Sequence, residues 1–247
     1  GYVARAATVF RADRLIVFPD REGEGRWGGG FVETVLQYAT TPPYLRKEAF
    51  GTRDELEYAG VLPPLRVPSW TGSESDDSGS LREGIVTQVG PEGRVRVNCG
   101  LQHPISLRVS DSTSVAEGER VSVRVSSRRP VRAKLVDAPT PGPRVARLDL
   151  ADALDVEGYR VASSRHGATL TVDRLADTEA RARDGLTVAF GAPKRGLPEM
   201  LDVSAPVDPA DPPEGFDVWL NTIPNQGSEV VRTEEAMFAT LACLNLR

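Results

Sequence analysis

The spacing of apolar residues along this chain changes period several times, and each change predicts a different kind of element. Residues 84–89 (GIVTQV), 94–98 (RVRVN), 105–109 (ISLRV) and 120–125 (RVSVRV) are short and valine-rich, and many positions alternate apolar with polar. That pattern predicts half-buried strands. Turn formers separate them, including Pro91-Glu92-Gly93 and Ala116-Glu117-Gly118-Glu119. Several short strands within about 60 residues predict a small β-barrel, and at this length an oligonucleotide-binding (OB) type is the natural candidate.

The flanks read differently. Val3–Phe10 is helix-compatible, Arg14–Phe18 (RLIVF) reads as a buried strand, and Gly30–Ala39 reads as a second helix. After the barrel, a weaker element begins at Asp152 and Ala153, and Tyr159–Ser163 and Thr169–Val172 look like strands. Asp177–Ala182 opens a helix, and Leu186–Phe190 (LTVAF) is a buried strand that ends at Gly191. Asp217–Ile223 (DVWLNTI) is another strand, its loop runs from Pro224 to Val231, and an amphipathic helix follows Thr233 to Asn245. Alternating strands and helices predict an α/β fold with a largely parallel sheet. The barrel would interrupt it at an exposed loop, where insertions are tolerated. Two polar or proline-dense stretches mark the joints, Trp70–Ser80 (WTGSESDDSGS) and Ala138–Pro143 (APTPGP). The expected division is therefore 1–78 with 139–247 as one discontinuous domain, and 79–138 as the inserted barrel.

Composition narrows the function. The chain has 247 residues, 40% hydrophobic and 26% charged, with a net charge of −5. No run approaches the roughly 20 apolar residues of a membrane span, and no charged-then-apolar leader opens the sequence. Two distant cysteines, Cys99 and Cys243, form no CxxC, and His103 and His166 are the only histidines. A disulfide framework and a structural metal are not expected, and the expected location is the cytoplasm. Thirty basic residues include only the lysines Lys47, Lys134 and Lys194. Arginine forks suit phosphate, although a GC-rich genome enriches arginine as well. Residues 79–138 hold ten Arg/Lys against six Asp/Glu, a local +4, leaving −9 for the remainder of the chain. Arg94, Arg96, Arg124, Arg128, Arg129 and Arg132 could then face one side and meet a phosphate backbone, or simply solvate a sheet face.

No Walker loop, GxSxG elbow or HExxH occurs, and Gly28-Gly29-Gly30 follows a hydrophilic segment, unlike a dinucleotide fingerprint. The informative stretches are two strand-to-loop junctions, VAFGAPKRGLPEML (Val188–Leu201) and NTIPNQGSEVVRTEEAMFATLACLN (Asn221–Asn245). In open α/β sheets ligands bind beyond the carboxyl ends of strands, where both loops would lie.

FGAPKRGL (Phe190–Leu197), NTIPNQG (Asn221–Gly227) and VRTEEA (Val231–Ala236) resemble the cofactor loops of the SPOUT superfamily of knotted RNA methyltransferases. The closest branch holds archaeal and eukaryotic RNA methyltransferases of the uridine-N3 type with an OB-like insertion. YVARAATVFRADRLIVF, TTPPYLRKEAF and YAGVLPPLRVP resemble that branch's N-terminal segments, so the likeness covers nearly the whole chain in order. The family usually has a strand before the helix that opens this sequence, and it carries histidines after LPPL where this chain has Ser69 and Trp70.

The resemblance implies a C-terminal trefoil knot, S-adenosylmethionine as cofactor, RNA as substrate, and a homodimer with the active site near the subunit interface. By position it assigns Gly191, Asn221, Ile223, Gln226, Gly227 and Thr233 to the cofactor. Glu234 or Glu235 would be a base or cofactor partner, unless both merely complement a helix start. Arg5 and Arg232 would hold RNA phosphate or an extruded base, and Lys194 and Arg195 would join the RNA contacts, unless these are surface ion pairs. His166 in SSRHGATL could be a base or a solvated turn residue. Met237, Phe238, Leu241 and Leu244 at helical spacing read as core or dimer contact. The rival expectation is a non-catalytic RNA-binding protein that kept the fold.

Overall fold

A computed structural model describes residues 1–20, 28–63, 65–67, 80–109, 114–140, 142–192, 195–203 and 208–245. The expected linker 70–80 lies outside them except for Ser80, as does Lys194. The fold is mixed α/β, with a parallel sheet and a nearly closed antiparallel sheet. Contacts divide the chain into two compact units, one of Gly1 and Thr34–Arg144, the other of Tyr2–Glu33 and Val145–Arg247.

The first unit holds a five-stranded antiparallel sheet of order β4-β3-β2-β5-β6. Its strands are β2 Ser80–Val89, β3 Arg94–Asn98, β4 Ile105–Arg108, β5 Arg120–Arg128 and β6 Val131–Leu135. The outer strands β4 and β6 approach each other, which brings the sheet close to closure. Alternation places Val95, Val97, Leu107, Val123 and Val125 in one apolar core. Arg94 and Arg96 point outward from the same strand. The strand β6 was not foreseen, and β2 begins four residues earlier than its valine pattern. The turn expected at Pro91–Gly93 is present, with Glu92 and Gly93 both at positive φ.

This unit also takes in the segment before the linker. Tyr44 donates its hydroxyl to the Glu83 carbonyl at 3.0 Å, and its ring lies where a Cβ on Gly100 would be, 2.7 Å from the ring carbons. Asn98 Nδ2 donates to Glu48 and to the Tyr44 carbonyl. Helix α3, Arg46–Phe50, is thereby tied to the end of β3. The Glu83 carboxylate is 2% exposed and pairs with Arg120. Burial raises its pKa above the ordinary glutamate value despite that partner.

The second unit is built on a three-stranded parallel sheet of order β10-β8-β9: β8 Tyr159–Thr169, β9 Leu186–Phe190, β10 Val218–Asn221. Helix α1 (Tyr2–Val9) packs on α7 (Thr233–Leu244), with the Phe10 and Phe238 rings 6.0 Å apart edge to face. Strand β1, Arg14–Val17, pairs with β7, Arg144–Arg147. Helix α2 spans Gly28–Thr40, α4 Leu150–Leu154, α5 Val172–Arg181 and α6 Leu197–Met200. Leu150, Leu154, Ala162, Ala189, Leu197, Phe216 and Trp219 form the core.

Two sequence expectations need correcting here. Thr169–Val172 is not a separate strand: β8 runs through to Thr169, and Val172 already begins α5. Thr171 caps that helix by accepting the Arg174 N–H, so a capping hydroxyl outweighs the β-branched run TLTV. The helix therefore starts five residues before the expected Asp177.

Strand β10 is fixed against β8 by Asp217. Its carboxylate accepts the Arg160 backbone N–H at 2.8 Å and both arms of the guanidinium at 2.9 and 3.0 Å, which holds its pKa below the ordinary aspartate value.

Candidate active site

β8 lies between its neighbours, so chain passing from β9 to β10 must cross it, and the loop after β10 returns the same way. That return ends at Thr233, whose hydroxyl donates to the Gly191 carbonyl at 3.3 Å, just past the end of β9. The carboxyl ends of all three strands therefore meet two crossing loops. Along β8 the pairing with β10 breaks: Trp219 faces Ala162 but Leu220 faces Ala168, and Ser163–Gly167 leave the β10 ladder as an excursion. Gly167 makes this geometry feasible, because a Cβ there would sit 2.8 Å from the Trp219 and Leu220 backbone.

Between these loops and the excursion is a cavity of about 540 Å³. That is a typical size for a small-molecule site. Five of the six expected cofactor residues line it: Gly191, Asn221, Ile223, Gln226 and Thr233. Their side-chain partners define what each can do. Asn221 uses both ends of its amide within the chain, Nδ2 donating to the Arg165 carbonyl at 2.9 Å and Oδ1 accepting the Ile223 N–H at 3.0 Å. It braces the loop against the excursion. Gln226 spends its amide nitrogen on the Ser228 and Glu229 carbonyls, and among the described residues Oε1 has no donor. Glycine at 191 is required by its own loop, since a Cβ would lie 2.8 Å from the Arg195 carbonyl. Gly227 is exposed and outside the cavity wall, and a Cβ there would meet nothing.

A model of the family described as "Putative RNA methyltransferase" matches residues 1–244. The chain belongs to that family. It is 68% identical over 256 residues to an uncharacterized protein of Halobacterium salinarum, covering all of this chain and 90% of the relative. It is 65% identical to an uncharacterized protein of Haloarcula marismortui, again over the whole chain and 90% of the relative. The human 28S rRNA (uridine-N(3))-methyltransferase is 29% identical over 279 residues, 99% of this chain and 71% of the human protein.

Of the other expected site residues of this RNA methyltransferase family member, Arg5, Arg232, Glu234 and Glu235 are not on the cavity wall. Glu235 accepts the Arg232 N–H at 2.8 Å and so caps α7. Glu234 and Arg232 sit at the same helix start, with Arg232 exposed. Arg5 is exposed on α1. Arg195 does line the cavity, but it pairs with Asp20 and lies 3.8 Å from Glu199. In the barrel, register separates the expected RNA-binding arginines along β2. Arg96 lies opposite Gln88, whereas Arg124 lies opposite Leu81, about 23 Å away at strand rise. Arg128, Arg129 and Arg132 follow Arg124 at the hairpin of β5 and β6.

Sequence reasoning passed over the excursion. Ser163, Ser164, Arg165 and His166 all line the cavity, yet only His166 drew notice. The signal available was Gly167 inside a strand-like run, which marks a bulge or a close backbone approach. Behind them a hydroxyl chain, Ser163 to Thr240 at 3.3 Å and Thr240 to Thr222 at 2.8 Å, pins α7 to β8 and to the end of β10. Among the described residues no group of His, Cys, Asp or Glu is placed to hold a metal, and no helix is long and apolar enough to cross a membrane.

Proposed function

We propose that this protein is an S-adenosylmethionine-dependent methyltransferase that modifies uridine N3 in ribosomal RNA. The observation that carries the reading is the cavity at the carboxyl ends of β8, β9 and β10, with Gly191, Asn221, Ile223, Gln226 and Thr233 on its wall. Relatives named for uridine N3 methylation supply the atom and the RNA class.

The donor set suits the cofactor. Phe190, Ile223 and Val231 offer apolar surface for an adenine, and Gln226 Oε1 can accept from its amino group. Glu199 and Glu229 are on the same wall, and a carboxylate there suits a ribose diol or a cationic amino acid. Trp219 contributes to this wall, and its buried indole Nε1 finds no hydrogen-bond partner among the described residues. When bound, the cofactor supplies an electrophilic methyl on a sulfonium. The chain's own work is alignment, since displacement at that carbon needs nucleophile and leaving group in line.

The strand order β10-β8-β9 and the Thr233 tie to Gly191 support a SPOUT-type trefoil knot. The near-closed sheet supports an OB-like barrel over 79–138, and the preceding segment from Thr34 belongs to the same compact unit. We assign its arginines, with Lys194 and Arg195, to the RNA. A homodimer in the cytoplasm completes the reading.

Calorimetric titration with S-adenosylmethionine, followed by transfer of labelled methyl to total RNA and nucleoside identification, tests it. Saturable binding and labelled N3-methyluridine are expected. Binding without transfer would favour the non-catalytic rival, and absence of binding would remove the cavity assignment.

A further inference from the structure

The β8 excursion and the loop after β10 each bring one charged side chain to the cavity wall, and neither charge is neutralised within the described chain. Arg165 is exposed there. Its Nε donates to His166 Nε2 at 3.2 Å, and its Nη1 reaches the Glu229 carbonyl at 3.5 Å. Both acceptors are neutral, since a ring nitrogen that accepts a hydrogen bond carries no proton. Glu229 is exposed on the same wall. The carbonyl contact makes the two residues neighbours, yet guanidinium and carboxylate do not pair. Among the described residues Arg165 has no anionic partner and the Glu229 carboxylate no cationic one. The other ions of the wall differ, because Arg195 pairs with Asp20 and lies 3.8 Å from Glu199.

From this geometry we infer that Arg165 and Glu229 form the subsite for the zwitterionic amino-acid end of the cofactor, Arg165 donating to its α-carboxylate and Glu229 accepting from its α-ammonium. The inference rests on the S-adenosylmethionine reading above and names a subsite within it. That end of the ligand carries both charges on one carbon. Its site needs opposite charges that are neighbours and that stay unpaired until the ligand arrives. Arg165 and Glu229 meet both conditions, whereas Arg195 and Glu199 already face each other.

Both residues are tied to the cavity by their backbones. The Arg165 carbonyl accepts from Asn221 at 2.9 Å, and the Glu229 carbonyl also accepts from Gln226 at 3.2 Å. With Nε and Nη1 engaged, the guanidinium is already ordered, and among the described residues Nη2 has no acceptor. A donor held in this way loses little freedom on binding. An RNA phosphate is the competing occupant for Arg165, but the neighbouring Glu229 carboxylate would repel it.

Three ligands separate the two contacts in calorimetry. S-adenosylhomocysteine carries both charges, its decarboxylated form keeps the ammonium alone, and 5′-methylthioadenosine has neither. Wild type should bind them in that order of falling affinity, each step about 10-fold. Arg165→Gln should weaken S-adenosylhomocysteine by about 10-fold and leave the other two within about twofold. Glu229→Gln should weaken S-adenosylhomocysteine and its decarboxylated form by about 10-fold and spare 5′-methylthioadenosine. Arg165→Lys keeps the charge without the fork and should recover part of the loss. Equal wild-type affinity for all three ligands would overturn the inference while leaving an adenosyl cavity standing. A folded variant that weakens all three alike would overturn it too. So would an Arg165→Gln variant that keeps its S-adenosylhomocysteine affinity and loosens total RNA instead, which would give Arg165 to a phosphate. A wild type that binds none of the three overturns the preceding section, and this subsite with it.

Discussion

Asn221 shows how far a side chain's role can differ from its position. Sequence placed it at the cofactor, and the structure places it at the cavity, but both ends of its amide are already used within the chain. Its contribution is to hold the Ile223 turn and the Arg165 carbonyl in register across 56 residues. Removing it leaves two backbone groups to find new partners, each costing about 1 kcal/mol. Asn221→Ala should therefore weaken S-adenosylhomocysteine binding by roughly 10-fold and lower stability by about 1–2 kcal/mol together. Asn221→Asp keeps the acceptor for Ile223 but loses the donor, and should fall between. Calorimetry paired with urea unfolding checks this. An alanine variant that loses affinity with unchanged stability would show direct ligand contact instead. Sequence assigns Asn221 to the cofactor and not to the Arg165 carbonyl, because nothing local encodes a partner on another strand.

Among the elements, those legible in advance are the ones whose burial follows a single period. RVRVN and RVSVRV bury alternate valines, and the apolar run LTVAF forms a strand at its expected place, although it is half-buried rather than buried, with Ala189 alone of its five residues buried. β6 escaped because VRAKL carries two cations in five residues and follows Arg-Arg-Pro. β8 was read as two strands because Ser163–Gly167 interrupts the apolar pattern, and that interruption is the part that lines the cavity. Helix α7 gives the sharpest prediction on this scale. Glu235 closes a capping bond to Arg232, so Glu235→Ala should cost about 1 kcal/mol in unfolding free energy. S-adenosylhomocysteine affinity should stay within about twofold. A large loss of transfer with unchanged stability would return Glu235 to the chemistry. Asp217, which ties β10 to β8, adds a pH dependence. Its pKa is depressed in the folded state, so its stabilisation is present above the ordinary carboxylate value and is lost as pH falls through the folded value. Asp217→Asn should be less stable than wild type by about 1 kcal/mol near neutral pH, and the gap should close in acid. Urea midpoints at the two pH values measure it, and a gap that persists in acid would assign the loss to something other than the ion pair.

For the whole molecule the problem is electrostatic. A chain of net charge −5 must approach an RNA polyanion, and the segment 79–138 offsets this with a local +4. Sequence suggests one arginine face, and the register of β2 with β3 and β5 spreads those arginines along the length of β2. Arg94 and Arg96 lie toward Val89, and Arg128, Arg129 and Arg132 lie beyond the Leu81 end. Along β2 the positions opposite Arg96 and Arg124 are about 23 Å apart, beyond the screening length of about 10 Å at moderate salt, so arginines at the two ends of that strand are expected to act on different phosphates. Each neutralised phosphate contributes about 0.7–0.9 to the slope of log affinity against log salt. Arg94→Ala with Arg96→Ala should then lower the slope for total ribosomal RNA by about 1.5. Arg128→Ala with Arg129→Ala and Arg132→Ala should lower it by about 2, and the two sets combined by about 3.5. Filter binding across a potassium chloride series reads these slopes directly. If one set alone carries the whole effect, RNA crosses only one end of the barrel. If neither changes the slope, the arginines solvate the sheet and the RNA is held elsewhere.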